Sequence, residues 1–328
     1  MDEARLEERF ALESHDPGIS SAPFDVVTVS DLCVDLVLRG NVRPHFGQQE
    51  QIVGSYCLEL GGSANIFAAQ VAKLGLSTSV IGYAGTDLFG DYVIQRLTEC
   101  GVDVSLVRRT AAIPTGLGVA LAEPDDRAIL TILGTIDATQ PHDLPSAPGN
   151  LCRHWHVASP FLLRSLRSSW RDLLSRAQAA GVTTSLDPNW DTDKEWGWII
   201  DLLPSVNVFL PNEAEAKALT GATNVADSAL QLARVGPLVV IKRGPQGALA
   251  ARGTEITEIG ALPVPTADGI PVDTVGAGDN FDAGFIAGWI SRRPLSDCLA
   301  LGSLCASSSL ACAGGIAGQY RGRLPEET

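Results

Sequence analysis

From residue 25 onward, short apolar runs rich in β-branched residues alternate with stretches whose apolar positions recur every three to four residues. Residues 25–32 (DVVTVSDL) read as a buried strand. Residues 63–75 (SANIFAAQVAKLG) read as a helix, with Ser63 at its start and Gly75 at its stop. The alternation continues with a strand over 77–85, a helix over 87–101, a strand over 154–159, a helix over 165–181 and a strand over 182–189. A strand at 206–211 runs into a helix at 212–221, and a further strand covers 237–244. This order predicts an α/β fold with a mainly parallel central sheet flanked by helices.

Two stretches break the rhythm. Residues 33–60 show no helical period, and 115–134 read as a hairpin turning at EPDDR, 123–127. Both read as antiparallel insertions that form a small β lid, drawn from about 36–58 and 113–134. No internal repeat divides the chain. Residues 1–24 read as a poorly ordered acidic tail, and 25–328 as one domain with a discontinuous lid.

Composition narrows the classes. A net charge of −14 over 328 residues lacks the basic face that nucleic-acid binding requires. Apolar runs stop well short of a membrane span, so no membrane partner is expected. Seven scattered cysteines with no C-x-x-C pair read as thiols in a reducing, cytoplasmic setting. His154 and His156 alternate on a strand without a third ligand and read as core or surface histidines. Trp190, Trp196 and Trp198 read as packing residues, and Asp87 as a helix cap.

The chemistry concentrates at 273–285, DTVGAGDNFDAGF. Gly276, Ala277 and Gly278 are small residues at the start of a helix, where free amides and the positive end of the dipole face outward. That is a cradle for an anion. The stretch fails as a dinucleotide fingerprint, because Phe281 stands at the third glycine position, and the chain has no G-K-[ST] phosphate loop. Two readings stay open for Asp279: a cap on a tight turn, or a general base held ionised beside a phosphate.

The same stretch closely resembles the C-terminal signature of the ribokinase, or phosphofructokinase-B, family of sugar kinases. Other segments resemble that family in order: 61–75 (GGSANIFAAQVAKLG), 82–103, 211–216 (PNEAEA) and 242–248 (KRGPQGA). The likeness spans roughly 25–315 and implies the family's α/β core with a β lid. By it, Asp279 is the catalytic base, and Gly276, Ala277 and Gly278 form the anion hole. Asn280 takes no role. Asn212, Lys242, Gly244, Gly247 and Thr274 fall along the nucleotide. Glu215 corresponds to the residue that holds water on Mg²⁺. Asp273 and Thr274 begin a loop at which the family binds a monovalent cation, making potassium a candidate cofactor beside ATP and Mg²⁺. At the sugar end, Asp31, Asp35, Gly61, Gly62, Asn65 and Asn189 are expected to meet hydroxyl groups.

The reaction implied is ATP-dependent phosphorylation of a small sugar, fructose- or ribose-like. The alternatives are a nucleoside kinase, with Phe46, Tyr56 and Phe161 as a base shelf, and a non-catalytic sugar-binding protein. A lid strand with an open edge would also allow a homodimer.

Overall fold

The computed structural model describes residues 22–123, 127–191 and 195–322. Most of the expected tail and the tip of the expected hairpin turn therefore lie outside the described residues.

Thirteen strands form two sheets among the described residues. They are β1 (Phe24–Val29), β2 (Cys33–Arg39), β3 (Ser55–Gly61), β4 (Thr78–Gly85), β5 (Val107–Thr110), β6 (Gly116–Ala122) and β7 (Arg127–Ile132). There follow β8 (Cys152–Val157), β9 (Thr183–Leu186), β10 (Val208–Phe209), β11 (Leu238–Lys242), β12 (Ala248–Arg252) and β13 (Glu255–Ile259). The helices are α1 (Ser63–Lys73), α2 (Leu88–Glu99), α3 (Trp170–Ala179), α4 (Gly197–Ile200), α5 (Glu213–Thr220), α6 (Val225–Ala233), α7 (Ala277–Ile290) and α8 (Leu295–Ser309).

The large sheet has nine strands in the order β13-β12-β11-β10-β9-β8-β1-β4-β5. All neighbours from β11 to β5 are parallel; only the β11–β12 and β12–β13 pairs are antiparallel. Its central strands are apolar on both faces because helices cover both. In β1, Val27 and Val29 pack with Trp155 and Trp170, while Val26 packs on the other face with Phe67 and Phe285. His154 and His156 belong to this core: both ring systems bond Ser185 Oγ, at 2.8 and 2.7 Å, and His156 stacks on Phe67. Burial pushes His156 down to about 3, so the pair is neutral.

The small sheet is four-stranded, in the order β3-β2-β6-β7. The chain leaves β1 and enters it after only three residues, so β2 begins at Cys33 and β3 ends at Gly61, wider than the expected bounds. Residues 40–54 between them hold no strand. β5 and the β12–β13 pair, with helices α6 and α8, complete the architecture beyond the elements read from the pattern.

Candidate active site

The parallel strands β1, β8, β9, β10 and β11 all end along one edge, the edge where open α/β sheets bind ligands. Each delivers a polar residue there. After β1 comes Asp31, whose carboxylate accepts the amides of Ser63 (3.0 Å) and Ala64 (3.1 Å) and so caps α1. Gly62 precedes that helix at φ +87°, and a Cβ there would stand 2.4 Å from the Asp31 carbonyl oxygen. Only glycine fits that turn. Asn65, expected to read a hydroxyl, is instead fully buried: its Oδ1 accepts from Ser30 Oγ, and its Nδ2 donates to the Gly61 carbonyl at 2.7 Å.

After β8 and β9 come Ser159 and Asn189, at φ +51° and +53°. Non-glycine residues in the left-handed region are costly and gather at functional sites. Asn189 Oδ1 accepts the Ser159 amide at 2.7 Å, and its Nδ2 donates to Ser63 Oγ at 3.0 Å. The expected base shelf loses one member, because Phe161 is buried edge-on against Trp196 and Trp198, both at 5.3 Å.

Asn212 and Glu215 form a reciprocal cap on α5. The Asn212 amide donates to Glu215 Oε2 at 2.8 Å, its Nδ2 donates to Oε1 at 2.6 Å, and the Glu215 amide donates back at 2.9 Å. Asn212 also bridges to Lys242 at the end of β11. Burial, then the charge of Asp187, raises Glu215 to about 7.

Lys242 Nζ lies between two acids, Asp187 Oδ2 at 2.7 Å and Asp282 Oδ2 at 2.9 Å. Burial opposes its charge, but these carboxylates outweigh burial and raise its pKa. Burial also drives Asp282 upward; at Asp187 burial is opposed by the Lys242 charge together with hydrogen bonds from Asp282, Lys242 and the Asn189 amide, and the balance lowers it. Neither Asp187 nor Asp282 stood out in the sequence, because only the fold brings β9 and α7 against Lys242.

Gly276 precedes α7 at φ +73°, and no side chain caps the first turn, although the Ala277 amide reaches the Thr274 carbonyl at 3.4 Å. A Cβ on Gly278 would stand 3.5 Å from Lys242 Nζ, so the lysine lies beside this terminus. Asp279 sits in the first turn, half-buried. Burial, then the charges of Asp187 and Asp31, raises it to about 8, against the pull of Lys242. The helix dipole is expected to keep it ionised; burial first, and the neighbouring acids second, favour its neutral form.

Asn280, given no role from the sequence, is fully buried; its Nδ2 donates to the carbonyls of Gly276 (2.8 Å) and Gly315 (3.0 Å), and its Oδ1 accepts from Gln319. It ties the start of α7 to the loop after α8.

The other expected residues lie on neighbouring segments. Asp35 is on β2 in the small sheet, packed so that a Cβ on Gly61 would stand 2.7 Å from its Cγ. Gly244 and Gly247 make the β11–β12 turn, at φ +54° and +83°. Thr274 is exposed, and Asp273 faces Arg39 of β2 at 3.2 Å.

A large, mainly parallel sheet flanked by helices, a separate small sheet and a glycine-led helix terminus at the carboxyl edge together make a ribokinase-like fold. The chain belongs to the pfkB family of carbohydrate kinases, whose pattern matches residues 24–320. It is similar to a fructokinase from Klebsiella pneumoniae, 31% identical over 240 residues, covering 70% of this chain and 76% of that one. It is also similar to an ATP-dependent ribose-1-phosphate kinase from Halopiger xanaduensis, 31% identical over 279 residues, covering 83% and 86%. Among solved structures, a ribokinase II from E. coli in complex with ATP and Mg²⁺ shares the fold, with TM-score 0.78, 23% identity and coverage of 90% and 96%. Among the described residues, no helix is long and apolar enough to cross a membrane.

Proposed function

We propose that the chain transfers the γ-phosphoryl group of ATP to a hydroxyl of a small neutral sugar, fructose- or ribose-like. Asp279 acts as general base, and the amides of residues 276–279 act as the anion hole. The observation that carries this reading is the position of Asp279. It stands in the first turn of a helix with no side-chain cap, and its pKa, raised to about 8, makes its ionised form a stronger base than an ordinary carboxylate.

The incoming hydroxyl would lose its proton to Asp279 as its oxygen attacks in line. Negative charge growing on the transferring group is met by the first-turn amides, which need no reorganisation. Lys242, beside Gly278, adds positive charge on the same side, and Asp187 and Asp282 hold its ammonium still. Asn212, Gly244, Gly247 and Thr274 flank the nucleotide in this reading.

Among the described residues no three acids, histidines or cysteines converge as a metal cage. The donor set fits a hydrated dication instead. Each Glu215 oxygen accepts one bond from Asn212 and keeps a lone pair for metal-bound water. The crowd of acids that raises Glu215 and Asp279 is an excess of negative charge that Mg²⁺ would relieve, and bound Mg²⁺ supplies charge neutralisation to the phosphates.

At the sugar end, Asp31 and Asp35, the Gly61–Gly62 backbone and Asn189 are the groups we assign to hydroxyls. Asn65 acts behind them by fixing the Gly61 carbonyl. Carboxylates at this end favour a neutral, hydroxyl-rich substrate over a phosphorylated one. The small sheet serves as a lid that excludes water. We further propose a homodimer through that sheet, supported by its exposed Tyr56, Ile129, Leu130 and Ile132. Seven free thiols suit a cytoplasmic setting.

The test is ADP release and sugar-phosphate formation against a panel of fructose, ribose, sugar phosphates and nucleosides. Asp279→Asn is expected to lower kcat by about two to four orders of magnitude with binding of ATP retained. Full turnover in that variant would remove the base assignment. Tight sugar binding without ADP from any acceptor would leave a binding protein on a kinase fold.

A further inference from the structure

The family likeness implies a monovalent cation beside Asp273, and the contacts of Asp273 do not fit one. Its Oδ1 accepts the Val275 amide at 3.0 Å. Its Oδ2 accepts the Gly314 amide at 3.1 Å and the Arg39 Nη2 at 3.2 Å. A carboxylate that already serves three N–H donors, one of them on a cation, has most of its lone pairs and its charge engaged before a second cation arrives. A small ion placed there would also be repelled by the guanidinium.

Arg39 is the last residue of β2, in register with Ser55 of β3 and Ala122 of β6. Its other nitrogen, Nη1, lies 3.2 Å from Cys57 Sγ. Burial raises the Glu59 carboxyl, farther along β3, while the charges of Arg96 and then Arg39 pull it down. Gly314 is gripped from both sides: its amide goes to Asp273, and a Cβ would stand 2.8 Å from Glu59 Oε2. The next residue, Gly315, offers its carbonyl to Asn280, which also holds the Gly276 carbonyl. The guanidinium therefore stands at one end of an unbroken run of contacts: Arg39, Asp273, Gly314, Gly315, Asn280, Gly276. That run ends at the anion hole.

We infer that Arg39 supplies, from the chain itself, the positive charge beside Asp273 that a monovalent cation would otherwise provide, so that turnover is independent of potassium. Arg39 is a positioning residue: it touches no reacting atom, and it links the small sheet to the loop that sets the first-turn amides of α7. The inference rests on the kinase reading above.

The experiment compares the full chain with Arg39→Ala and Arg39→Lys in KCl and in choline chloride at equal ionic strength. Initial rates and thermal midpoints are read in each salt. The native chain is expected to turn over equally in both salts, within about twofold, and to show the same thermal midpoint. Arg39→Ala should lose about tenfold in kcat in choline chloride with little change in KM. It should regain most of that in KCl, where its thermal midpoint should also rise. Arg39→Lys, which keeps the charge, should stay close to native. Native turnover that rises tenfold or more with K⁺ overturns the inference, and so does full turnover of Arg39→Ala in choline chloride. If Arg39→Ala fails to fold, the native salt comparison and Arg39→Lys still decide. If the native chain phosphorylates nothing, the kinase reading fails, and the salt dependence of the native thermal midpoint alone judges the cation: no K⁺ shift upholds the inference and a rise overturns it.

Discussion

Asp279 has to be neutral enough to survive among other acids and basic enough to take a proton. Its surroundings resolve this by raising its pKa from 3.8 to about 8, through burial first and the Asp187 charge second. The shift has a consequence for stability. Between pH 4 and 8 the folded chain keeps a proton that the unfolded chain releases. The folded state binds more protons, so this group's contribution to stability falls as pH rises through that window. Asp279→Asn carries no such proton. Its thermal midpoint should match the native value near pH 4 and exceed it by a few degrees at pH 8. A thermal-shift series from pH 4 to 9 reads the difference directly, and a variant less stable at every pH would contradict the raised pKa. In the same window, kcat/KM of the native chain should rise with pH as Asp279 loses its proton.

The start of α7 was legible as a helix terminus because its glycines and its acid are neighbours in sequence. So was the cap at Asp87, whose partner lies three residues away. What holds the terminus in place was not legible. Asn280 bonds Gly315 and Gln319, 35 and 39 residues on, and no local pattern encodes such a meeting. Lys242 was visible as a strand-end lysine, but its two acids come from β9 and α7, 55 and 40 residues away. β5 is only four residues long, too short for alternation to declare itself. The clamp made by Asn280 gives a prediction at this scale. Asn280→Ala leaves the buried Gly315 carbonyl without the Asn280 amide and one N–H of Gln319 unpaired, a cost of about 1–3 kcal/mol for each group left unsatisfied, while the Gly276 carbonyl keeps the amide of residue 280. The variant should melt several degrees lower, and its kcat should fall more than its KM rises, since the anion hole loosens while the sugar groups stay. Equal loss in kcat and KM, or no loss at all, would separate Asn280 from the anion hole.

At the scale of the whole molecule, the two sheets face opposite problems. The large sheet is covered by helices on both sides and keeps its apolar residues dry. The small sheet is a single layer whose last strand, β7, exposes Ile129 by 55%, Leu130 by 59% and Ile132 by 54%. Adjacent residues of a strand point to opposite faces, so Ile129 and Leu130 cannot both be covered by one neighbouring layer of this chain. One face is available to the cleft and the other to a second copy, which is the physical ground for a lid that is also an interface. Apolar side chains on an edge strand are costly in water and invite pairing. The native chain should therefore sediment as a dimer at micromolar concentration. Leu130→Glu, a charge on that edge, should shift it to monomer while hydrogen exchange in β1, β8 and β9 stays as slow as before. Exchange in β2, β3, β6 and β7 should quicken in the monomer, because those strands lose the layer that covers them. A native chain that sediments as a monomer at all concentrations, or a Leu130→Glu variant that remains dimeric, would place the interface elsewhere and leave the small sheet serving the cleft alone.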